Sequence, residues 1–185
     1  MAHNVLLVTY YWPPSGGAGV QRILKFAKYL PRFGVHPIVL TVSNPTYPVL
    51  DESLNSEVPG DLPIYRTYSP EPFSIYGRIS GKSKQEVAQP TRVLKEGQSL
   101  SSKVATWIRA NLFIPDARMG WYLTAKRKAM KLVEDYNISA IVTTGPPHSV
   151  HFVGHHIKKS LGVPWISDFR DPWTQIHYNQ LLPRT

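Results

Sequence analysis

The chain has 185 residues, 42% of them hydrophobic, no cysteine and a formal charge of +9. That length and apolar content suit one domain with a compact core. Without a run of about 18 apolar residues or a signal-peptide pattern, the chain reads as cytoplasmic. Absence of cysteine excludes disulfides and thiolate zinc sites, and the cationic excess predicts anionic partners, whether nucleotides, nucleic acid or lipid headgroups.

Val5 to Val8 reads as a buried strand, and Val20, Ile23, Leu24, Ala27 and Leu30 recur at helical spacing. Between them runs Tyr10-Tyr11-Trp12-Pro13-Pro14-Ser15-Gly16-Gly17-Ala18-Gly19-Val20-Gln21-Arg22, a glycine-rich strand-to-helix junction. Glycines let a backbone approach an anion closely, and a helix N-terminus favours negative charge. Arg22, one turn in, offers a charge-assisted contact. Gly17 to Arg22 begins like the dinucleotide fingerprint, but Arg22 replaces its last small residue and no acid follows at Thr41 to Asn44. An NAD site is therefore not expected, nor a Walker loop, since no Gly-Lys-Ser/Thr closes the turn. The alternative is a glycine loop that only makes a tight turn.

Gly34 stops the first helix and His36 to Val42 forms a second strand. After a polar, proline-rich stretch from Ser43 to Gly60, Pro63 to Tyr68 offers a short third strand. The Ser-, Gly-, Pro- and charge-rich residues that follow predict a flexible insertion around 69–103, with 83–99 disordered. Helices are expected over 104–113 and 121–136, the second burying Tyr122, Ala125, Ala129, Val133 and Tyr136. Ala140 to Thr144 reads as a buried strand, followed by a helix to Leu161 with Val150, Val153, Ile157 and Leu161 on one face, and Val163 to Ser167 reads as the last strand. This alternation predicts an α/β Rossmann-like open parallel sheet with helices on both faces. Ligands of such sheets bind beyond the carboxyl ends of the strands, where the turns 10–19, 144–149 and 168–173 gather. Lysines and arginines on the helices read as solvated faces, and no nucleic-acid-binding signature is present.

His148, just past a strand end and at a helix start, would face the cleft, resist protonation and reach a sugar hydroxyl; the competing reading is a capping or packing histidine. His151 and His155 lack the Glu of a zinc-protease helix and a third ligand, so no metal is expected. Ser149 lies in no nucleophile elbow. Asp168, Arg170 and Asp171 are placed after the last strand, either at the cleft edge or in an ion pair that braces the loop, and Asp116 and Arg118 pose the same choice.

Three segments together, Tyr-Trp-Pro-Pro-Ser-Gly-Gly-Ala-Gly-Val-Gln-Arg, Gly-Pro-Pro-His-Ser and Asp-Phe-Arg-Asp-Pro-Trp, resemble the N-terminal half of bacterial family 4 glycosyltransferases of the GT-B fold. The resemblance spans nearly the whole chain. It implies an acceptor-side Rossmann-like domain over 1–185 that faces a donor-binding C-terminal domain absent from this chain. It places Gly16, Gly17, Gly19 and Arg22 near a donor diphosphate and His148, as the catalytic residue, near the transferred sugar. Asp116, Arg118, Asp168, Arg170 and Asp171 remain candidates for the acceptor or cleft edge. Transfer with retention, from a nucleotide-sugar co-substrate to a glycan or lipid-linked acceptor and without metal or cofactor, is what the family does, and this half alone is expected to be inactive. Peripheral contact with the inner face of a membrane is expected of the basic 69–103 segment. The rival reading is a non-catalytic Rossmann-like module binding nucleotides or anionic polymers.

Overall fold

The structure, a computed structural model, describes residues 3–70 and 114–172. Five strands, β1 (His3–Thr9), β2 (Val35–Val42), β3 (Ile64–Thr67), β4 (Ala140–Gly145) and β5 (Trp165–Phe169), form one parallel sheet in the order β3-β2-β1-β4-β5. The fold is α/β and Rossmann-like. Central strands of such a sheet are covered on both faces, which is why β1, β2 and β4 are near-continuous apolar runs.

Side-chain alternation along the strands builds two cores. Leu7, Val39 and Val142 face α1 (Ala18–Tyr29), which lays Val20, Ile23, Leu24 and Ala27 against them together with Trp12 and Leu54. Leu6, Val8, Ile38, Leu40 and Ile141 face the opposite way, against α2 (Trp121–Asp135) and α3 (His151–Leu161). Helices thus cover both faces. Full burial of Leu6, Leu24 or Ile157 contributes about 1.5–3 kcal/mol each. A short 3-10 turn, Leu30–Phe33, prolongs α1, and Gly34 ends it with φ 72° in the left-handed region.

Three expectations need correction. The last strand begins at Trp165 and includes Asp168, so Asp168 does not follow it. Pro164, which has no N–H, gives its carbonyl to Ile141 N–H at 2.9 Å, and pairing starts one residue later with Trp165 opposite Ile141. Second, α2 buries Trp121 and Leu132, whereas Tyr122 and Tyr136 are only half-buried, with the hydroxyls of Tyr136 and Tyr65 hydrogen-bonded to each other, and in α3 the terminal Leu161 is exposed rather than on the buried face with Val153 and Ile157. Third, Ser69 is not free chain: it is buried and exchanges two hydrogen bonds with the Asn44 side chain, at 2.7 and 2.8 Å. The rest of the expected insertion, the helix over 104–113 and Trp173 lie outside the described residues.

Candidate functional site

The strand order reverses between β1 and β4, and in sheets of this kind that reversal is where a ligand crevice forms, beyond the carboxyl ends of the strands. Turns from β1, β4 and β5 reach it, as the sequence predicts. The β1 turn is held from outside by the 46–51 segment. Gly16 N–H donates to the Val49 carbonyl at 2.9 Å, Asp51 N–H donates to the Pro14 carbonyl at 2.8 Å, and a Cβ on Gly16 would stand 3.0 Å from Val49 Cγ1. Gly16 thus needs its small size for packing, and its N–H is engaged by protein.

Gly17 is the N-cap of α1 with φ 95° and ψ 167°, a conformation that favours glycine, and nothing lies within 4 Å of where its Cβ would be. No side chain caps α1 and no acid occupies its first turn. The positive end of the helix faces the crevice without a carboxylate of its own. Gly19, in that turn, makes room for Arg170: a Cβ there would lie 1.9 Å from Arg170 Nη1.

Two guanidinium groups flank this helix start. Arg170 donates from Nε to the Gly145 carbonyl at 2.9 Å and from Nη2 to the Pro146 carbonyl at 3.2 Å, tying the β5 turn to the β4 turn. Burial lowers its pKa from the ordinary value, against the pull of Asp171 and Asp168. Arg22 Nη2 pairs with Asp168 Oδ1 at 3.0 Å, and Asp168 Oδ2 accepts from Thr144 Oγ1 at 2.9 Å. The Arg22 side chain is half-exposed, whereas that of Asp168 is largely covered.

His148 opens a 3-10 turn, His148–Val150, ahead of α3. It is buried, and its ring stacks on Phe169 and His151 at centroid distances of 5.9 and 6.2 Å. Its pKa is lowered as expected, but the main cause is burial rather than the helix end; Arg170 adds to it, while Asp116 and Asp171 oppose it. Asp116 braces this turn, accepting Ser149 N–H at 2.7 Å and Ser149 Oγ–H at 2.8 Å, and it also accepts Arg118 N–H at 2.9 Å. Arg118 is buried, with its guanidinium 5.2 Å from the Tyr10 ring centre and Nη2 donating to the Thr46 carbonyl at 3.3 Å.

Sequence reasoning missed a polar chain beneath this surface. Trp165 Nε1–H donates to Thr143 Oγ1 at 2.8 Å, and the same hydroxyl is hydrogen-bonded to His151 Nδ1, also at 2.8 Å. The other ring nitrogen of His151, Nε2, is buried and lies 2.8 Å from where a Cβ of Gly145 would be. Burial and neighbouring His148 push its pKa down to about 4, against the pull of Asp168. The paired hydroxyls Thr143 and Thr144 in an otherwise apolar strand were the available signal. His155 is exposed and meets the Trp165 ring edge-on. Among the described residues no three His, Asp or Glu side chains group as metal ligands, and no described helix is long and apolar enough to cross a membrane.

No protein-family model and no curated protein matches the chain. Among solved structures it is similar to MurG of Acinetobacter baumannii, at 16% identity and a TM-score of 0.48 over 97% of this chain and 39% of that one. It is also similar to the glycosyltransferase SsfS6 of Streptomyces sp. SF2575, at 15% identity and a TM-score of 0.46 over 90% of this chain and 39% of that one. A glycosyltransferase of Rickettsia africae ESF-5 matches at 14% identity and a TM-score of 0.42, over 89% of this chain and 29% of that one. The chain thus spans well under half the length of each of these proteins.

Proposed function

We propose that the chain is the N-terminal, acceptor-side half of a retaining GT-B glycosyltransferase of family 4, whose complete form moves a sugar from a nucleotide-sugar donor to a glycan or lipid-linked acceptor in the cytoplasm. The observation that carries this reading is the pair of guanidinium groups, Arg22 and Arg170, beside an uncapped, acid-free helix start at the β1/β4 reversal. A diphosphate suits that place, because directed N–H groups and delocalised cations both favour it. It would compete with Asp168 for Arg22. The three sequence segments that resemble family 4 enzymes are the ones that supply the three turns.

In this reading Gly17, Gly19 and Arg22 meet the donor diphosphate, while Gly16 packs the turn against the 46–51 segment. His148 lies toward the transferred sugar, Asp116, Arg118, Asp168 and Asp171 shape the acceptor edge, and Arg170 stands between that edge and the diphosphate. The departing diphosphate and fixed donors stabilise developing charge, so the reaction needs no dedicated base. A C-terminal domain supplies the remaining donor contacts.

The test is nucleotide release by the whole gene product across a panel of nucleotide sugars. Acceptor-dependent release by that product, with residues 1–185 alone at background, supports the reading. A gene product that closes at Thr185 and binds nucleotides or anionic polymers without turnover overturns it and leaves a binding module.

A further inference from the structure

We propose that the outer face of α1 and its 3-10 extension docks on an anionic lipid surface. Helix α1 buries Val20, Ile23, Leu24 and Ala27. Directly opposite, at spacings of three and four, lie Phe26, Tyr29 and Phe33, a stripe that an ordinary surface helix fills with polar residues. Phe26 is 39% exposed, Tyr29 38% and Phe33 79%. Every charged residue between Ala18 and Gly34 is a cation: Arg22, Lys25, Lys28 and Arg32. Arg22 lies 5.7 Å from the Phe26 ring centre and Arg32 4.7 Å from that of Tyr29, so charge and aromatic surface are interleaved. Glu57 pairs with Lys25 and Lys28, and Asp168 with Arg22; those two carboxylates leave the face with a positive surplus.

Aromatic rings flanked by arginine and lysine are the composition of helices that lie in a bilayer interface, the rings entering the headgroup boundary and the cations meeting anionic lipid. A second copy of this chain fits poorly, because it would bring one positively charged face against another. The 3-10 turn leads into the amino end of β2, so Phe33 and Arg32 sit at the sheet edge away from the crevice, which stays open when this face is docked. Nothing in this docking depends on the reaction proposed above.

The experiment is co-sedimentation of the protein with vesicles of phosphatidylcholine alone and of phosphatidylcholine mixed with phosphatidylglycerol. Binding should require the anionic lipid and fall at high salt. The exposed double change Phe26→Ser/Phe33→Ser, and separately Arg32→Glu, should each weaken it at least about tenfold while the circular dichroism spectrum stays unchanged. No binding to anionic vesicles, or binding that both variants retain, overturns the proposal. A concentration-dependent dimer abolished by the phenylalanine changes would assign this face to a second copy instead.

Discussion

The guanidinium of Arg170 occupies the space that a side chain on Gly19 would need, with a Cβ there falling 1.9 Å from Nη1. Gly19→Ala gains up to about 1 kcal/mol of helix propensity but forces Arg170 off the Gly145 and Pro146 carbonyls, at a cost of about 1–3 kcal/mol. We expect a net loss of about 1 kcal/mol in urea unfolding. In an Arg170→Ala background the same change should stabilise. Additive effects of the two changes would show that the contact carries no energy.

Gly17→Ala should destabilise by about 1–3 kcal/mol through its backbone alone, since φ 95° is strained for any side chain while no atom stands within 4 Å of the new methyl. Gly17→Val should cost a similar amount. A much larger loss with valine would reveal a steric wall. Because either change disturbs the turn itself, a role in ligand binding is better read from Arg22→Ala.

His151 supplies a pH dependence. Its pKa is depressed to about 4 in the folded protein, below the usual histidine value, so the unfolded chain binds the proton more readily. The stability this provides is complete above about pH 6.5 and is lost as pH falls toward 4, a change of about 2–3 kcal/mol. His151→Gln removes the titration, and its urea midpoint should fall less over that interval than that of the parent. Parallel curves would exclude His151 as the source.

Asp116 should matter for stability before it matters for acceptor binding. Its carboxylate holds Ser149 by two hydrogen bonds at 2.7 and 2.8 Å and caps Arg118 N–H. Asp116→Ala should cost about 2–3 kcal/mol in thermal unfolding, and Ser149→Ala, which keeps the backbone bond, roughly half of that. Equal losses would place the whole effect on the serine hydroxyl.

The elements with clean periodicity were legible: Val20, Ile23, Leu24 and Ala27 mark a helix face without any tertiary knowledge, and the runs at 5–8 and 140–144 mark buried strands. The candidate turns were legible as well, because glycine and proline punctuate them. Interactions that join distant segments were not. Leu54 and Tyr47 stand among polar residues, and nothing near them in sequence says that they are buried or that Val49 will take the Gly16 N–H. Arg22 and Asp168 read as separate features because only the parallel pairing of β5 with β4 brings them to 3.0 Å. The start of β5 turned on Pro164, whose effect depends on which strand lies beside it.

Strand β1 lies at the middle of the sheet, between β2 and β4, and this sets the order of events during synthesis. The first βαβ unit and its α1 core leave the ribosome early and contain their own partners. The other edge of β1 waits for Ala140, after everything from Tyr68 to Ser139 has been translated, an interval on the order of seconds. Until residues 121–135 emerge Leu6 and Val8 have no α2 above them, and throughout the interval they have no α3. The newborn chain therefore passes through a stage with one finished face and one bare one, and that stage is when a chaperone has most to hold.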